Sequence, residues 1–225
     1  MRKITMLLIV ILLATPVLAD DLGFRFGLKA APNISWFRTE TSRFENDGVG
    51  LGFSYGLIFD YYFTEHYAIS SGLNFVRTTA SIKYPDIYQN MDVEMRRNYK
   101  YRFIEVPMAL KLSTTEVGYS TYYGLFGLGL GIRTSALADE RIYMPDGIFE
   151  PEDAADVADE TKFFRTSLIL GAGTEYSFGG RTALLLGLTF HNGFSNILNM
   201  ERKPIWRSTP SAHNLYLEMT IGIMF

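Results

Sequence analysis

The last eleven residues of the chain alternate between apolar and more polar side chains. The apolar positions are Leu215, Leu217, Met219, Ile221, Ile223 and Phe225. Side chains of a β-strand point alternately to its two faces, so this segment predicts a strand with one apolar face and one wetter face. A chain with such a strand is expected to place one side of a sheet against an apolar environment.

Seven further segments alternate in the same way, and in most of them glycines and charged residues share the face opposite the apolar one. These segments are 23–37, 48–63, 66–79, 98–113, 119–135, 162–178 and 181–194. The connections between them are short and long in turn. The predicted long loops are 38–47, 80–97, 136–161 and 195–213. An even number of strands with alternating short turns and long loops is typical of bacterial outer-membrane barrels.

The apolar face distinguishes a membrane barrel from a soluble β-sandwich or lipocalin-like cup. A soluble fold keeps its apolar face inside and its charges outside. Here the apolar face is nearly free of charge and is rich in aromatic residues towards both ends, as lipid-facing walls are. The expected aromatic belts are Phe24, Phe63, Tyr67, Tyr176 and Phe225 at one end, and Trp36, Phe75, Tyr99, Phe164 and Phe194 at the other. The sequence therefore predicts an all-β, eight-stranded antiparallel up-and-down transmembrane β-barrel.

The N-terminal segment has the pattern of a secretory signal peptide. Arg2 and Lys3 precede an apolar run, and Val17-Leu18-Ala19 forms a cleavage site before Asp20. A membrane-spanning helix is the alternative, but the run is shorter than the roughly 20 residues that a span requires. We expect residues 1–19 to be the signal peptide and residues 20–225 to be the barrel domain. The chain contains no cysteine, so its stability cannot depend on disulfides.

The inward faces carry charged residues of both signs. They are Arg25, Lys29, Asp60, Arg102, Glu105, Lys111, Arg133, Arg165, Glu175 and Glu218. An eight-stranded barrel is just wide enough for its own side chains, and an unpaired charge inside it would be costly. We therefore expect a barrel-lumen charge network of mutual ion pairs. A narrow polar path or a proton-linked switch is the alternative.

Segment 98–113 changes parity midway. Tyr99, Tyr101 and Phe103 share the outward face in this interpretation, and Ile104 then begins a new outward series. A one-residue slip of this kind predicts a β-bulge within the segment.

The sequence offers weak candidates for catalysis. His191, Ser195 and Asn196, with Glu175 or Glu201 as the acid, resemble a serine-hydrolase set. Residues four apart on a regular strand are about 13 Å apart, too far for the required hydrogen bond. We therefore predict no catalytic residue. The three histidines lack metal-ligand spacing, so no metal site is expected, and the glycine pattern gives no cofactor site. The near-neutral net charge of −3 and the lack of a basic run give no indication of nucleic-acid binding.

Loop 136–161 is strongly acidic. The residues of its possible docking surface are Asp146, Glu150, Glu152, Asp153 and Asp156. A basic partner, or divalent cations that bridge lipopolysaccharide, would fit such a surface. A solvated loop is the simpler alternative, as is pairing with basic residues of other loops, among them Arg96 and Arg97.

Two motifs resemble those of a known family. Residues 26–35, FGLKAAPNIS, resemble the first strand of PorT-like outer-membrane barrels, with Ala31 in place of a usual glycine. Residues 101–111, YRFIEVPMALK, resemble a second strand of the same family, with one extra residue near Phe103. The resemblance implies a Bacteroidetes-type outer-membrane barrel without catalytic residues. Some members of that family serve type IX protein secretion, whereas most have no assigned activity.

Taken together, the sequence predicts a bacterial outer-membrane protein with a structural or partner-binding role, a component of a secretion or envelope assembly. A narrow porin-like channel and an outer-leaflet lipid-modifying enzyme are the alternatives. Both termini are expected in the periplasm, and the expected partners are outer-membrane lipid and lipopolysaccharide. We expect Phe225 and the apolar C-terminal face to be the sorting signal that the barrel-assembly machinery recognises.

Overall fold

The structure is a computed structural model, and it describes residues 23–40, 43–144, 147–200, 204–205 and 209–225. The predicted signal peptide lies outside these residues. No helix long and apolar enough to cross a membrane occurs in the part of the chain that is described.

Nine strands account for most of the described chain. They are β1 (Phe24–Thr39), β2 (Glu45–Tyr62), β3 (Tyr67–Tyr88), β4 (Met91–Ser113), β5 (Ser120–Met144), β6 (Gly147–Asp156), β7 (Phe164–Ser177), β8 (Ala183–Gly193) and β9 (Ala212–Met224). Eight of them form a ring of antiparallel neighbours, in the order β1-β2-β3-β4-β5-β7-β8-β9. The ring closes because β1 pairs with β9 as well as with β2. The predicted eight-stranded antiparallel barrel is confirmed.

The outer surface of the ring is apolar. Leu28, Phe126 and Ile221 are each more than half exposed, and they belong to a band of exposed aliphatic and aromatic side chains that runs through all eight ring strands. Charged residues on the same strands, such as Asp60 and Glu218, are buried inside. A soluble cup would have the opposite polarity, so the outer band is a lipid-facing surface.

The barrel has two different ends. The short-turn end contains the tight connections after β2, β4 and β7, the start of β1 and the end of β9. At the other end, called here the long-loop end, β3, β4 and β5 continue to lengths of 22, 23 and 25 residues. A membrane-crossing strand needs only about 9–11 residues. These three strands therefore project well beyond the lipid-facing band.

Two predicted loops, 80–97 and 136–161, are mostly β-hairpins, which corrects the sequence interpretation. β3 and β4 pair without interruption from Ser81 opposite Asn98 to Tyr88 opposite Met91. Gln89 and Asn90 form the turn, with φ of 51° and 61°. β6 pairs antiparallel with the outer part of β5, with register shifts on both sides of Glu140. We call this extension the β-platform: residues 79–88, 91–100, 135–144 and 147–156.

The platform has its own apolar core, which lies inside the curve of the sheet at the long-loop end. Its fully buried members include Ile82, Tyr84, Tyr99, Ile142 and Leu198. Polar residues such as Lys83, Arg96 and Asp139 lie on the outer face of the same strands. The polarity of the wall therefore inverts along β3, β4 and β5. It is apolar outside within the lipid-facing band and apolar inside beyond it.

This inversion explains the misassigned parity of segment 98–113. Tyr99, Tyr101 and Phe103 are buried inside, so the outward assignment of these residues, and of Tyr99 to an aromatic belt, was wrong. Arg102 lies between them on the outer face and is exposed, not in the lumen. The bulge does exist, but β5 contains it. Arg102 pairs with Ser135 and Phe103 with Arg133, which leaves Thr134 as the extra residue.

The inner glycines are expected to be spatially constrained, and Gly129 of β5 tests this. A Cβ at this position would lie 2.6 Å from Ser167 Oγ and 2.9 Å from the Glu105 carboxylate. Gly129→Ala should destabilise the barrel by about 1–3 kcal/mol, because an added methyl group overpacks the lumen. The midpoint of urea unfolding in detergent micelles measures this. Gly124→Ala on the same strand is the control, since its nearest atom would be 3.9 Å away. Equal midpoints for the two variants would contradict the prediction.

Candidate functional site in the barrel lumen

The lumen contains a cluster of ion pairs near the short-turn end. Lys111 Nζ donates to Asp60 Oδ2 at 2.5 Å and also contacts the Glu175 carboxylate. Arg25 contacts the second oxygen of Glu175, and Ser70 Oγ donates to Asp60 Oδ1 at 2.6 Å. Lys111 and Asp60 are 2% and 0% exposed, so this pair is fully removed from solvent. These residues come from β1, β2, β3, β4 and β7, so the cluster connects strands on different sides of the ring.

A second cluster surrounds Glu218 of β9. Lys29 Nζ donates to Glu218 Oε1 at 2.5 Å, and Ser54 Oγ donates to Oε2 at 2.7 Å. His191 Nε2 is 3.7 Å from Oε1, which is within ion-pair distance if the imidazole is protonated.

A third cluster surrounds Glu105 of β4. Arg165 Nη1 donates to Glu105 Oε2 at 2.6 Å, and the Tyr216 hydroxyl donates to Oε1 at 3.1 Å. His191 Nδ1 is 3.3 Å from the same Oε1, and the imidazole stacks on the Tyr216 ring at 4.1 Å between centroids. His191 thus lies between two carboxylates and joins the second cluster to the third.

Charge balance makes this arrangement possible inside a narrow barrel. Moving a carboxylate or an ammonium group out of water costs several kcal/mol, and only close opposite charges with satisfied hydrogen bonds compensate for it. Glu175 has two basic neighbours, Arg25 and Lys111, while Glu105 and Glu218 each have a basic side chain and a hydroxyl donor. The clusters therefore fill the lumen with charges that compensate one another.

Of the ten residues assigned to the lumen from the sequence, eight take part in these pairs. The exceptions are Arg102, which is on the outer face, and Arg133. The backbone of Arg133 on β5 is the register partner of Phe103 on β4. The Nε atom of Arg133 is buried without a hydrogen-bond partner among the described residues. Tyr216 was missed as a site residue and His191 was considered only for catalysis, although the period-two pattern gives both of them inward parity.

The free space found in the lumen lies towards the short-turn end. A cavity of about 70 Å³ lies beside Lys111, Glu218 and His191, which is room for a few water molecules. A wider vestibule of about 770 Å³ opens at the short-turn end beside Arg25 and Glu175. Towards the long-loop end, the Arg165 guanidinium lies against the rings of Phe103 and Tyr216, at 4.8 Å and 5.2 Å. Both rings belong to the apolar core of the platform.

The serine-hydrolase candidates are not assembled. His191 is buried against Tyr216, Glu105 and Glu218, whereas Ser195 Oγ accepts a hydrogen bond from the backbone N–H of Thr166 at 2.9 Å. Glu201 lies outside the described residues. Nor do any three His, Asp or Glu side chains in the described segments form a group that could bind a metal ion.

The acidic segment is partly neutralised by the neighbouring hairpin. Arg97 Nη2 donates to Glu140 Oε1 at 2.5 Å and Arg97 also contacts Glu160, while Lys100 Nζ donates to Asp139 at 2.6 Å. Burial raises the pKa of Asp139, but hydrogen bonds from Lys100 and from the Ala154 backbone N–H outweigh it and lower this pKa below its ordinary value. Pairing between the two predicted loops is therefore present in the platform.

The proposed docking residues are described only in part. Asp146 and the side chains of Glu150, Glu152 and Asp153 lie outside the described part of the chain. The fifth residue, Asp156, accepts a hydrogen bond from the Ala158 backbone N–H at 2.9 Å. The docking role of these acids stays a prediction.

The Lys111 cluster should be energetically important. Lys111→Met leaves Asp60 without its buried cation, and removing one partner of a buried pair costs about 3–5 kcal/mol. We expect the midpoint of urea unfolding in detergent micelles to fall accordingly. Lys100→Met on the same strand removes a partly exposed pair and should cost less than about 1 kcal/mol. Adding Asp60→Asn to Lys111→Met should recover part of the loss, and a Lys111→Met midpoint equal to that of Lys100→Met would refute the claim.

Several solved structures are similar in architecture at low sequence identity. Neisserial surface protein A is 14% identical, with 88% of this chain and 95% of that chain covered and a TM-score of 0.42. OprG from Pseudomonas aeruginosa is 11% identical, with 92% and 98% covered and a TM-score of 0.46. Ail, the attachment invasion locus protein of Yersinia pestis, is 12% identical, with 91% and 100% covered and a TM-score of 0.36.

The family assignment rests on the sequence itself. No curated protein matches the chain. Residues 18–199, most of the chain, match the family described as the outer membrane protein beta-barrel domain. This match agrees with the closed ring of strands and its apolar outer band. The chain is therefore a member of the outer membrane protein beta-barrel domain family, an outer-membrane β-barrel protein.

Proposed function

We propose that this protein is a non-conducting membrane anchor that presents the β-platform to a protein partner in the bacterial envelope. The observation that supports this role best is that two successive layers of side chains fill the inside of the barrel. Buried ion pairs occupy the membrane-spanning part, and the apolar core of the platform lies above them. A channel of this width would need a continuous polar path instead.

The platform suits a binding role because it is an ordered sheet. β4 pairs with β3 and β5 along most of the platform, and Arg97 and Lys100 link β4 to β5 and to Glu160. The side chains on its outer face are mostly polar and are presented on regular strands. Such a surface loses little conformational freedom on binding.

The proposed orientation follows the rule for outer-membrane barrels, whose short turns are periplasmic and whose long connections are outside. Both termini would then lie in the periplasm and the platform at the cell surface. Phe225 and the apolar face of β9 would be the sorting signal read by the barrel-assembly machinery. Phe225 stacks on Phe26 at 5.2 Å, beside the seam where β1 and β9 close the ring.

We also propose that the protein belongs to an assembly such as a type IX-like secretion machine, which the two PorT-like motifs support. The proposal includes no enzymatic activity, because His191 and Ser195 are engaged separately. Purification from outer membranes in mild detergent, followed by mass spectrometry, tests this part. A stoichiometric secretion component in the preparation would favour it, and a solitary protein would count against it.

The closed lumen gives a direct electrical prediction. Purified protein in planar lipid bilayers with concentrated KCl should produce no stepwise current, because ion pairs and the apolar core leave no water-filled path. A general porin inserted under the same conditions is the positive control. Reproducible conductance steps from the folded, heat-modifiable protein would show that it is the narrow channel instead.

The acidic residues of β6 give the partner prediction. A variant with Glu150, Glu152, Asp153 and Asp156 changed to Gln or Asn keeps the backbone pairing and removes negative charge. It should recover clearly less of a co-purifying partner than the wild-type protein, as quantified by mass spectrometry. The control changes Glu65 and Glu116 to Gln in the short turns at the opposite end of the barrel. Unchanged recovery with the β6 variant would place the docking surface elsewhere.

A further inference from the structure

Two arginines face each other on the outer wall of the barrel, where the lipid-facing band ends. Arg77 of β3 and Arg102 of β4 are register partners, and both side chains are exposed. Residues directly opposite each other on antiparallel strands have Cβ atoms about 4.5–5.5 Å apart, and like charges in such a pair destabilise the sheet. A protein is expected to tolerate this pair only where something neutralises it.

The described part of the chain supplies no anion to these two arginines. Among the described residues, no carboxylate is within ion-pair distance of either guanidinium group. Their situation contrasts with that of other basic residues on the same face. Lys100 pairs with Asp139, and Arg96 pairs with Glu94 at 2.9 Å.

The position of the pair along the wall is at the edge of the lipid-facing band. Directly on the membrane side of the pair, Phe75, Ile104, Ile132 and Phe164 form one continuous row of apolar, outward-facing residues across four strands. On the other side, the platform begins with Thr79 and Lys100. On β3, β4 and β5 the two arginines therefore lie where the apolar outer face ends, which is the level of the lipid headgroups, whereas on β2 exposed Leu51 and Val49 continue beyond Phe53.

On the β5 side, polar side chains extend this row: Ser135 is the register partner of Arg102, and the bulge residue Thr134 is exposed beside it. On the β2 side the register partner of Arg77 is Phe53, so the row ends there. The row thus combines two guanidinium groups with hydroxyl groups on β5. Guanidinium groups form strong, bidentate hydrogen bonds with phosphate oxygens, and the Ser135 hydroxyl can add a further donor. The Thr134 hydroxyl donates to the Arg102 backbone carbonyl at 3.1 Å.

We propose that Arg77 and Arg102 form a binding site for a phosphate group of the phosphorylated glycolipid in the outer leaflet, namely the lipid A headgroup of lipopolysaccharide. The site is on the outside of the barrel and is separate from the lumen clusters and from the acidic β6. It fixes the protein to its surrounding lipid and defines the depth at which the barrel sits. The proposal rests on the proposed orientation, with the long-loop end at the outer leaflet, and not on the identity of any protein partner.

The test uses the full-length mature protein in detergent micelles with added bis-phosphorylated lipid A, and native mass spectrometry counts the lipid that remains bound. The Arg77→Gln/Arg102→Gln double variant should bind lipid A about tenfold or more weakly than wild type, because it loses charge-assisted hydrogen bonds. Arg96→Gln is the matched control. It removes one charge from the same face of β4, about 20 Å further from the membrane at the usual strand rise.

Three further comparisons make the result decisive. Heat-modifiable migration on gels verifies that each variant is folded, and an Arg77→Lys/Arg102→Lys variant keeps the charge if the fully neutral one fails to fold. The lysine variant should bind more weakly than wild type, since an ammonium group cannot make the bidentate contact. Dephosphorylated lipid A should bind equally weakly to wild type and to the double variant.

Two outcomes would overturn the proposal. One is equal retention of bis-phosphorylated lipid A by wild type and by folded variants of the pair. The other is displacement of bound lipid A by inorganic phosphate at a comparable concentration, which would show a site for the free anion and not for the lipid headgroup.

Discussion

Hydrogen bonding of the backbone in a medium without water is the constraint on which this structure depends. Every N–H and C=O group within the hydrocarbon layer must find a partner in the protein, so a sheet that crosses the membrane has to close on itself. Closure by the pairing of β1 with β9 satisfies this requirement with eight strands. Eight strands leave a lumen only as wide as its own side chains. The glycines of the inner face and the compensating charges follow from that width, since bulky or unpaired groups would not fit there.

The two parts of the barrel solve the same packing problem in opposite ways. Within the lipid-facing band, apolar side chains point outward and the inside is filled with ion pairs around Glu105, Glu175 and Glu218. Beyond the band, the outer face is in water and the inside becomes an ordinary apolar core. The transition occurs between Phe103 and Glu105 of β4, and Tyr216 of β9 contacts both of these residues. Its ring packs with Phe103, and its hydroxyl donates to Glu105.

Period-two alternation was sufficient to predict the fold, the eight ring strands and most of the lumen charges, because lipid outside and a polar interior impose a strict pattern on each strand. The same alternation gave the wrong face for Arg102 and did not show that much of segment 136–161 is a β-hairpin. There the environments of the two faces exchange, and an exchange of environments looks, in a single sequence, like a slip of one residue. Opposite parity at Tyr101 and Ile104 was read as a bulge in β4, whereas the extra residue is Thr134 in the partner strand. The pairing of His191 with two carboxylates depends on β4, β8 and β9 meeting in space, which no local pattern encodes.

The hairpin nature of the platform also affects how this surface can change over time. In an irregular surface loop, neighbouring positions can vary together, because few of them pack against anything. In β3 and β4 of the platform, most of the inward-facing side chains belong to an apolar core, as Ile82, Tyr84 and Tyr99 do. The alternate residues face outward, as Lys83 does, and are less constrained by packing. With the platform at the cell surface, as proposed, selection by antibodies or phages would leave variable and invariant positions alternating along β3 and β4. The shape of the surface would then persist while its chemistry diverged.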